Sequence, residues 1–553
     1  MSGARRNCLI SIVLWTITAS GGVGATGHVA TNTAAAAALS VGERIYREGV
    51  LPRGAPLRGV RDNGISLGGA AAACVNCHRR SGLGSYEGTT IVPPVIGRYL
   101  FRTRLTNIQD LNLPHVRGFT PNRDAYTDTT LALALRTGVA PGGRTLSDLM
   151  PRYALDAGAM KALLDYLKHL GTDPVPGVSD TDLEFATIVT PDADPVAAEA
   201  MLSVMQRFFG VQNEVIAGEV RPLKSNRDIM YRVTRRWHLH VWRLQGAAES
   251  WPQQLSAHLA AEPVFAIISG IGGRNWQPVH SFCERQALPC LLPNIDLPVV
   301  AEQDFYSVYW SRGVLLEADL IGQALVDKSG SPAPVGRIVQ LFRSDDIGVA
   351  AAAALRRRFA TGGPTIVDEV ISGDLPELSS KAFERLQAGD RLVVWLRNDD
   401  LKILPVDLPT GVDVYASGLM AGLDGATPPT KWRSRVHFAY PFDLPDLRRV
   451  RMNFPLGWMR VQKLAVVNER VQTDTYIACQ ILAEGLGHML DSFVRDFLVE
   501  RLEMMLSTRL VSGYYPRLGL GPGQRFASKG GYLVHFSEPA GTKVIPDGDW
   551  TVP

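Results

Sequence analysis

Five consecutive residues, Cys74-Val75-Asn76-Cys77-His78, carry the most specific chemistry in this chain of 553 residues. Two thiols at this spacing can add to the two vinyl groups along one edge of a porphyrin. A histidine directly after the second thiol then reaches the iron from the proximal side. Two other chemistries use a C-x-x-C pair. A redox dithiol gives no role to His78, and a zinc site needs two more ligands that the neighbouring sequence does not offer. With six cysteines and eleven histidines in the whole chain, a chance match is rare, about one in a thousand. One covalent haem c, held by Cys74 and Cys77 with His78 on the iron, is the expected cofactor.

Helical patterns must position this motif, and they flank it on both sides. In VGERIY, Gly42 and Tyr46 stand four apart on one face; in ALLDYLKHL, Leu163 and Tyr166 stand three apart. Together with the haem motif, these surroundings resemble a small single-haem class I cytochrome c over residues 39–170. The resemblance implies an all-α domain whose first and last helices cross, a glycine and an aromatic meeting a leucine and an aromatic. It also implies a proline carbonyl that accepts a hydrogen bond from the proximal Nδ1 and leaves Nε2 for iron. Pro93 and Pro94 in IVPPVIG are the matching positions. For the sixth ligand it implies a methionine on a loop before the last helix. Met150 fits, after the turn Pro141-Gly142-Gly143 and before Pro151, with Met160 and His115 as alternatives. A His/Met pair fills both axial positions, which implies an electron carrier and argues against a peroxidase-type enzyme.

The N-terminus reads as an export signal. Arg5 and Arg6 precede the apolar run from Cys8 to Ala19, and small residues from Gly21 to Ala25 offer a cleavage site. The expected organisation is a signal peptide at 1–25, a flexible leader at 26–38, the cytochrome domain at 39–170, a linker at 171–180 (GTDPVPGVSD) and a second module at 181–553. Export agrees with the haem reading, since bacterial c-type haem is attached outside the cytoplasm. No later run is apolar enough to span a bilayer. The net charge of +3, two of whose positive charges are Arg5 and Arg6, gives no ground for a nucleic-acid partner.

Beyond the linker, short apolar runs alternate with amphipathic stretches. FATIVT, HLHVWRL, VFAIISG, RIVQLF, RLVVWL and VDVYAS read as buried parallel strands with helices between them, enough for two lobes. With PVFAIISGIGG, YSVYWSRGVLLEADLIGQAL and the ending LGPGQRFASKGGYLVHF, this region resembles a type I periplasmic solute-binding protein of the branched-chain amino-acid receptor kind. The resemblance implies an α/β two-lobed fold and a ligand held by loops after early strands of the first lobe. The matching positions are Ser269, Gly272 and Gly273 in SGIGG, Asn294 and Tyr309. A glycine-rich turn at a strand's carboxyl end can offer bare N–H groups to an anion, and it is equally how a strand turns into a helix. Neither a dinucleotide fingerprint nor a phosphate-binding P-loop pattern is present. Cys283 and Cys290 could form a local disulfide in an oxidising compartment, leaving Cys479 as a buried small hydrophobe. His238 and His240 are expected to be ordinary strand residues.

The leading expectation is a periplasmic, non-enzymatic electron carrier whose second module binds an amino-acid- or carboxylate-like molecule or docks a redox partner such as a dehydrogenase. The alternative is a ligand receptor or sensor in which the haem reports redox state or a gas.

Overall fold

Two capped helices frame the N-terminal unit. Ser40 accepts from the Glu43 amide (3.1 Å) to open α1 (Val41–Glu48), and Asp156 accepts from Ala159 (2.7 Å) to open α5 (Ala157–His169). Between them lie α2 (Val75–His78), α3 (Gly97–Leu100) and α4 (Asp128–Thr137). The crossing of α1 and α5 matches the expected arrangement: Tyr46 and Tyr166 rings lie 5.4 Å apart, and Leu163 is buried. Gly42 makes the crossing feasible, because a Cβ there would lie 2.1 Å from the Ala162 carbonyl oxygen.

The computed structural model describes residues 39–87, 90–102, 124–219, 235–301, 304–326, 336–373, 383–422, 425–489, 492–509, 512–538, 541 and 543–553. The expected signal peptide and leader, and His115, lie outside the described residues. The N-terminal unit is not all-α, which corrects the expectation. Strand β1 (Arg58–Val60) pairs antiparallel with both β2 (Ser66–Gly68) and β5 (Arg152–Tyr153), while β3 (Ser85–Glu87) and β4 (Thr90–Val92) form a second small ribbon. The cause is local. Asn63-Gly64 forms the turn between β1 and β2, with the Asn63 side chain accepting from Ile65 N (3.2 Å), a strong hairpin signal.

Two α/β lobes follow. The first has a parallel sheet in the order β10-β9-β8-β6-β7, built from β6 (Asp182–Val189), β7 (Arg236–Arg243), β8 (Ala266–Ile268), β9 (Cys290–Leu291) and β10 (Ser307–Val308). Its helices are α6 (Pro195–Glu219), α7 (Trp251–Ala261) and α8 (Gln277–Arg285). The second lobe repeats the order as β12-β11-β13-β14-β15 and adds two antiparallel strands. Its strands are β11 (Arg337–Arg343), β12 (Thr365–Ile371), β13 (Arg391–Trp395), β14 (Asp413–Ser417), β15 (Val436–Tyr440), β16 (Tyr532–Phe536) and β17 (Val544–Pro546). Helices α9 (Val314–Ala324), α10 (Gly348–Arg358) and α11 (Asn398–Leu401) belong here; α12 (Pro445–Val461) leads back toward α13 (Glu469–Met489), which packs on α6 and β8 of the first lobe, followed by α14 (Arg495–Met505). The chain therefore crosses between lobes after β10, after β15 and after α14. Two crossings run side by side: Tyr309 N donates to Arg525 O (2.8 Å), and Ser528 N to Trp310 O (2.7 Å).

Residues 39–553 form one compact unit, and the segment expected to be a loose linker is built into it. Gly177 O accepts from Glu184 N (2.9 Å), Ser179 N donates to Asp182 O (2.9 Å), and Arg495 reaches the Pro176 carbonyl (3.4 Å). Proline removed backbone donors from this stretch, but its carbonyls remained available to the half-buried Arg495.

Candidate functional site

The C-x-x-C-H motif occupies one helical turn. Cys74 precedes α2, Cys77 and His78 lie on it, and neither thiol is in a disulfide. His78 N donates to Cys74 O (2.9 Å), closing the turn, and Ser85 Oγ donates to Cys77 O (2.9 Å). Burial pushes the Cys74 thiol up to about 12, so it stays protonated at neutral pH. The His78 Nδ1 lies 2.9 Å from the Pro93 carbonyl oxygen, and Pro93 rather than Pro94 supplies that acceptor. A carbonyl can only accept, so Nδ1 carries the proton and Nε2 keeps its lone pair. Burial lowers the His78 pKa from its ordinary 6.5, against the Pro93 bond, which keeps the ring neutral.

These residues fit a covalently held haem: two unbridged thiols on one turn and an oriented imidazole whose Nε2 makes no hydrogen bond among the described residues. Met150 is half-buried in a turn, its N–H donating to Ser147 O (3.0 Å), two residues before β5. Tyr153 on β5 donates to Ala72 O (3.0 Å), which ties the Met150 loop to the segment entering Cys74. Met160 faces the core from α5 and is buried.

The residues just after His78 dock on α14. The N–H and hydroxyl of Ser81 both donate to the Glu500 carboxylate, at 2.9 and 2.5 Å. Arg79 and Arg525 grip Glu503 from two sides, and Gly523 N adds a third bond at 3.1 Å. Asp496 faces Arg47 (3.1 Å) and accepts from Tyr306, while the Arg80 guanidinium lies over the Phe305 ring (4.4 Å). Burial raises Glu500 to about 7 even though the Ser81 bonds oppose it.

The expected ligand positions sit at the carboxyl ends of the first sheet, where its strand order reverses between β6 and β8, the usual place for a ligand in open α/β sheets. Ser269 and Asn294 are brought together: Asn294 Nδ2 donates to Ser269 Oγ (2.9 Å) and to Thr475 Oγ1 of α13 (3.2 Å). Ser269 adopts a left-handed conformation (φ +55°), rare for a residue with a Cβ. The glycine turn does present N–H groups to an anion, but the anion is the chain's own. Asp192 accepts from Gly273 N (3.3 Å) and Arg274 N (2.7 Å). A Cβ at Gly273 would stand 2.4 Å from the Asp192 carbonyl oxygen. Gly272 packs on Trp276 and donates to Asn294 O (3.4 Å). Tyr309 is not part of this group; it stacks on Phe526 and bonds His280 (2.7 Å) beneath α8.

Sequence reasoning missed the groups on the other side. Arg274 faces Asp345 after β11 (3.7 Å), and Asp346 pairs with Arg397 after β13 through two bonds (2.7 and 2.8 Å). The two switch points thus face each other across the lobes. Deeper, Asp296 pairs with Arg470 (3.1 Å) beside Asp474, whose two carboxylate oxygens are buried without a hydrogen-bond partner among the described residues. Burial raises Asp474 to about 7, with Arg470 opposing and Asp296 adding to the shift. Such a group is rare and marks a place where something further can be accommodated. The charged residues Arg470 and Asp474 were visible in the sequence, but nothing local placed their helix against Asp296.

Cys283 on α8 and Cys290 on β9 are buried, and their thiols lie close enough to hydrogen-bond each other, next to where the sequence expects a local disulfide. Cys479 is buried within α13 as expected. His238 and His240 make ordinary partners of Asp182 and Glu184 (2.8 Å each).

No protein-family model and no curated protein matches this chain. Several solved structures are similar to it. One is a solute-binding protein of an ABC transporter from Rhodopseudomonas palustris BisB5 in complex with 3,4-dihydroxybenzoic acid, 13% identical over 68% of this chain and 98% of that one, with a TM-score of 0.49. Another is a fatty acid ABC transporter substrate-binding protein from Thermomonospora curvata, 12% identical over 69% and 95%, TM-score 0.47. A third is a branched-chain amino acid ABC transporter from Thermus thermophilus with bound valine, 10% identical over 68% and 97%, TM-score 0.47. The two-lobed architecture rests on this chain's own strand orders and crossings. Among the described residues, no helix is long and apolar enough to cross a membrane.

Proposed function

We propose that this chain is an exported ligand receptor in which one covalently held haem is coupled to a two-lobed binding module. Cys74 and Cys77 would carry the thioether links, and His78 Nε2 and Met150 the axial positions; the haem supplies one-electron chemistry when bound. The observation that carries the receptor reading is the buried chain of contacts leaving the haem motif. Arg79, directly after His78, grips Glu503; Glu503 also grips Arg525; and the Arg525 carbonyl holds Tyr309 N at the paired lobe crossings. A change in how the lobes close must move groups that end one residue from the iron ligand. The chemistry there favours a small charged molecule, of amino-acid or carboxylate type, held among Asp474, Arg470 and Asn294.

The second reading is an electron carrier that docks a periplasmic redox partner such as a dehydrogenase. The position of Met150, held beside the haem motif through β5, favours it, because a closed His/Met centre transfers electrons without binding substrate.

The test uses the whole chain matured in a periplasm. Haem-stained gels should lose their signal in Cys74→Ala and Cys77→Ala, and the oxidised protein should lose its sulfur-to-iron absorption band in Met150→Ala. A panel of amino acids and carboxylates should contain a compound that both raises the melting temperature and shifts the midpoint potential of the haem. Undiminished staining in both cysteine variants would sink the haem assignment. If stain is lost but no compound shifts the potential, the electron-carrier reading stands instead.

A further inference from the structure

The second lobe carries a cluster that the proposed function does not use. Strands β15 and β16 pair antiparallel with Phe438 opposite Val534, which sets His437 and His535 on neighbouring strands with ring centroids 5.9 Å apart. Asp547 follows β17 directly and is fixed by its own N–H, which donates to Leu533 O (2.8 Å). Its carboxylate uses one oxygen for each ring. His437 Nδ1 lies 2.6 Å from Oδ2, and His535 Nδ1 bonds Oδ1. Tyr415 stacks on the His437 ring (5.5 Å, 28° between planes) and holds its orientation.

We propose that His437, His535 and Asp547 form a binding site for a divalent transition-metal ion of the zinc, nickel or copper class. The three ligand atoms lie within 4.8 Å of one another. Two imidazoles and one carboxylate are the donor set these ions prefer, where oxygen-only sites would suit magnesium or calcium. A tetrahedral zinc holds its ligand atoms roughly 3.3 Å apart. Opening the 2.6 Å contact to that separation needs only a small side-chain rotation. The ion displaces the protons that now bridge Nδ1 to Asp547; each ring gives up its Nδ1 proton to solvent and takes one at Nε2, so it binds as a neutral imidazole through Nδ1. Side-chain exposures of 31% for His437, 36% for His535 and 25% for Asp547 give an ion a way in and leave room for water to complete its coordination.

The placement separates this cluster from the other histidine–carboxylate group among the described residues. There, Glu284 is committed to the backbone N–H groups of Phe305, Tyr306 and Ser307, and both His280 nitrogens are taken by Tyr309 and Asp304. An ion would have to break those buried bonds. At the β15–β16 pair it replaces only two shared protons.

The experiment is a calorimetric titration of the full, tag-free chain with zinc chloride, together with melting curves in zinc and in chelator. One equivalent should bind, and zinc should raise the melting temperature. His437→Ala and His535→Ala should each weaken binding by about tenfold or more and abolish the zinc-dependent rise while leaving the melting temperature in chelator near that of the parent. His535→Gln, on the more exposed strand position, keeps the test decisive if His437→Ala fails to fold. Absence of saturable zinc binding by the parent, or undiminished binding by the histidine variants, would overturn the site.

Discussion

At His78 one ring nitrogen is tied to the Pro93 carbonyl and the other is left uncommitted. At Gly273 and Arg274 two backbone N–H groups also converge, but on a carboxylate that the chain itself supplies, Asp192. Both turns orient polar groups toward one point, yet only the first ends with a reactive atom available. The difference lies in range. The Pro93 contact spans fifteen residues and is part of the same small fold as the motif. Asp192 lies about eighty residues before its partners (separations of 81 and 82) and reaches them only once β6 and β8 are neighbours. A short motif guarantees the geometry of its own turn; whether a cleft is open depends on what the rest of the sheet delivers to it.

The largest expected effect comes from disturbing what anchors the first turn. Glu503→Gln leaves Arg79 and Arg525 facing a neutral amide in a buried site, and removing one partner of a buried ion pair costs about 3–5 kcal/mol. Urea unfolding of the full chain followed by circular dichroism should show a loss in that range. A loss below about 1 kcal/mol, the value of an exposed pair, would mean that the haem unit is not held by this contact.

Asp474 comes next, because its buried carboxylate oxygens have no hydrogen-bond partner among the described residues. Its pKa is raised from 3.8 to about 7 in the folded chain, so the folded state holds a proton that the unfolded state releases. Its contribution to stability is full below pH 3.8, declines as pH rises toward 7 and is gone above it. The span is on the order of 2–4 kcal/mol. Glu317 and Glu500, raised by burial to about 8 and about 7, have the same sign. The parent should therefore melt at a higher temperature at pH 5 than at pH 8, and Asp474→Asn should flatten that slope without removing it. An unchanged slope would place Asp474 in contact with solvent.

Asp192→Ala sharpens the comparison directly, with the smallest effect. It strips the acceptor from Gly273 and Arg274 at an exposed turn, at a cost of about 0.5–1.5 kcal/mol for each hydrogen bond lost. It also converts the filled turn into an open one. Formate or acetate should then raise the melting temperature of the variant more than that of the parent. Equal responses would show that the turn cannot accept an external anion.

Much of this molecule was readable in the sequence, and the limits follow the same distinction of range. The C-x-x-C-H turn, the pairing of Gly42 and Tyr46 with Leu163 and Tyr166, and the parallel strands of both lobes were all visible as spacing. The small sheet of the N-terminal unit was missed although Asn63-Gly64 announced its hairpin; the expectation of a helical family fold overrode a clear turn signal. The stretch from Thr475 to Leu498 reads as one helix by composition, but α13 ends at Met489 and α14 starts at Arg495, which swings Asp496, Glu500 and Glu503 onto the haem unit. Periodicity could not show that, because their partners Arg47, Ser81 and Arg79 are more than four hundred residues away. The assignment of Ser269, Gly272, Gly273 and Asn294 to one strand-end region was sound, while the identity of their partners, Thr475 and Asp192, was not written in the local pattern.

The separation of 424 residues between Arg79 and Glu503 also sets an order of events. A chain that emerges from its amino end presents Cys74, Cys77 and His78 long before α14 exists. During that interval Arg47 has its helix neighbour Glu43, but none of Arg47, Arg79 and Arg80 yet meets α14, and the motif stands open to whatever modifies it. Closure of that face must wait for the last tenth or so of the chain, since loop closure over so many residues is slow and late. The motif can thus be modified before α14 is in place, and only then do Glu500 and Glu503 take hold of the residues just after it.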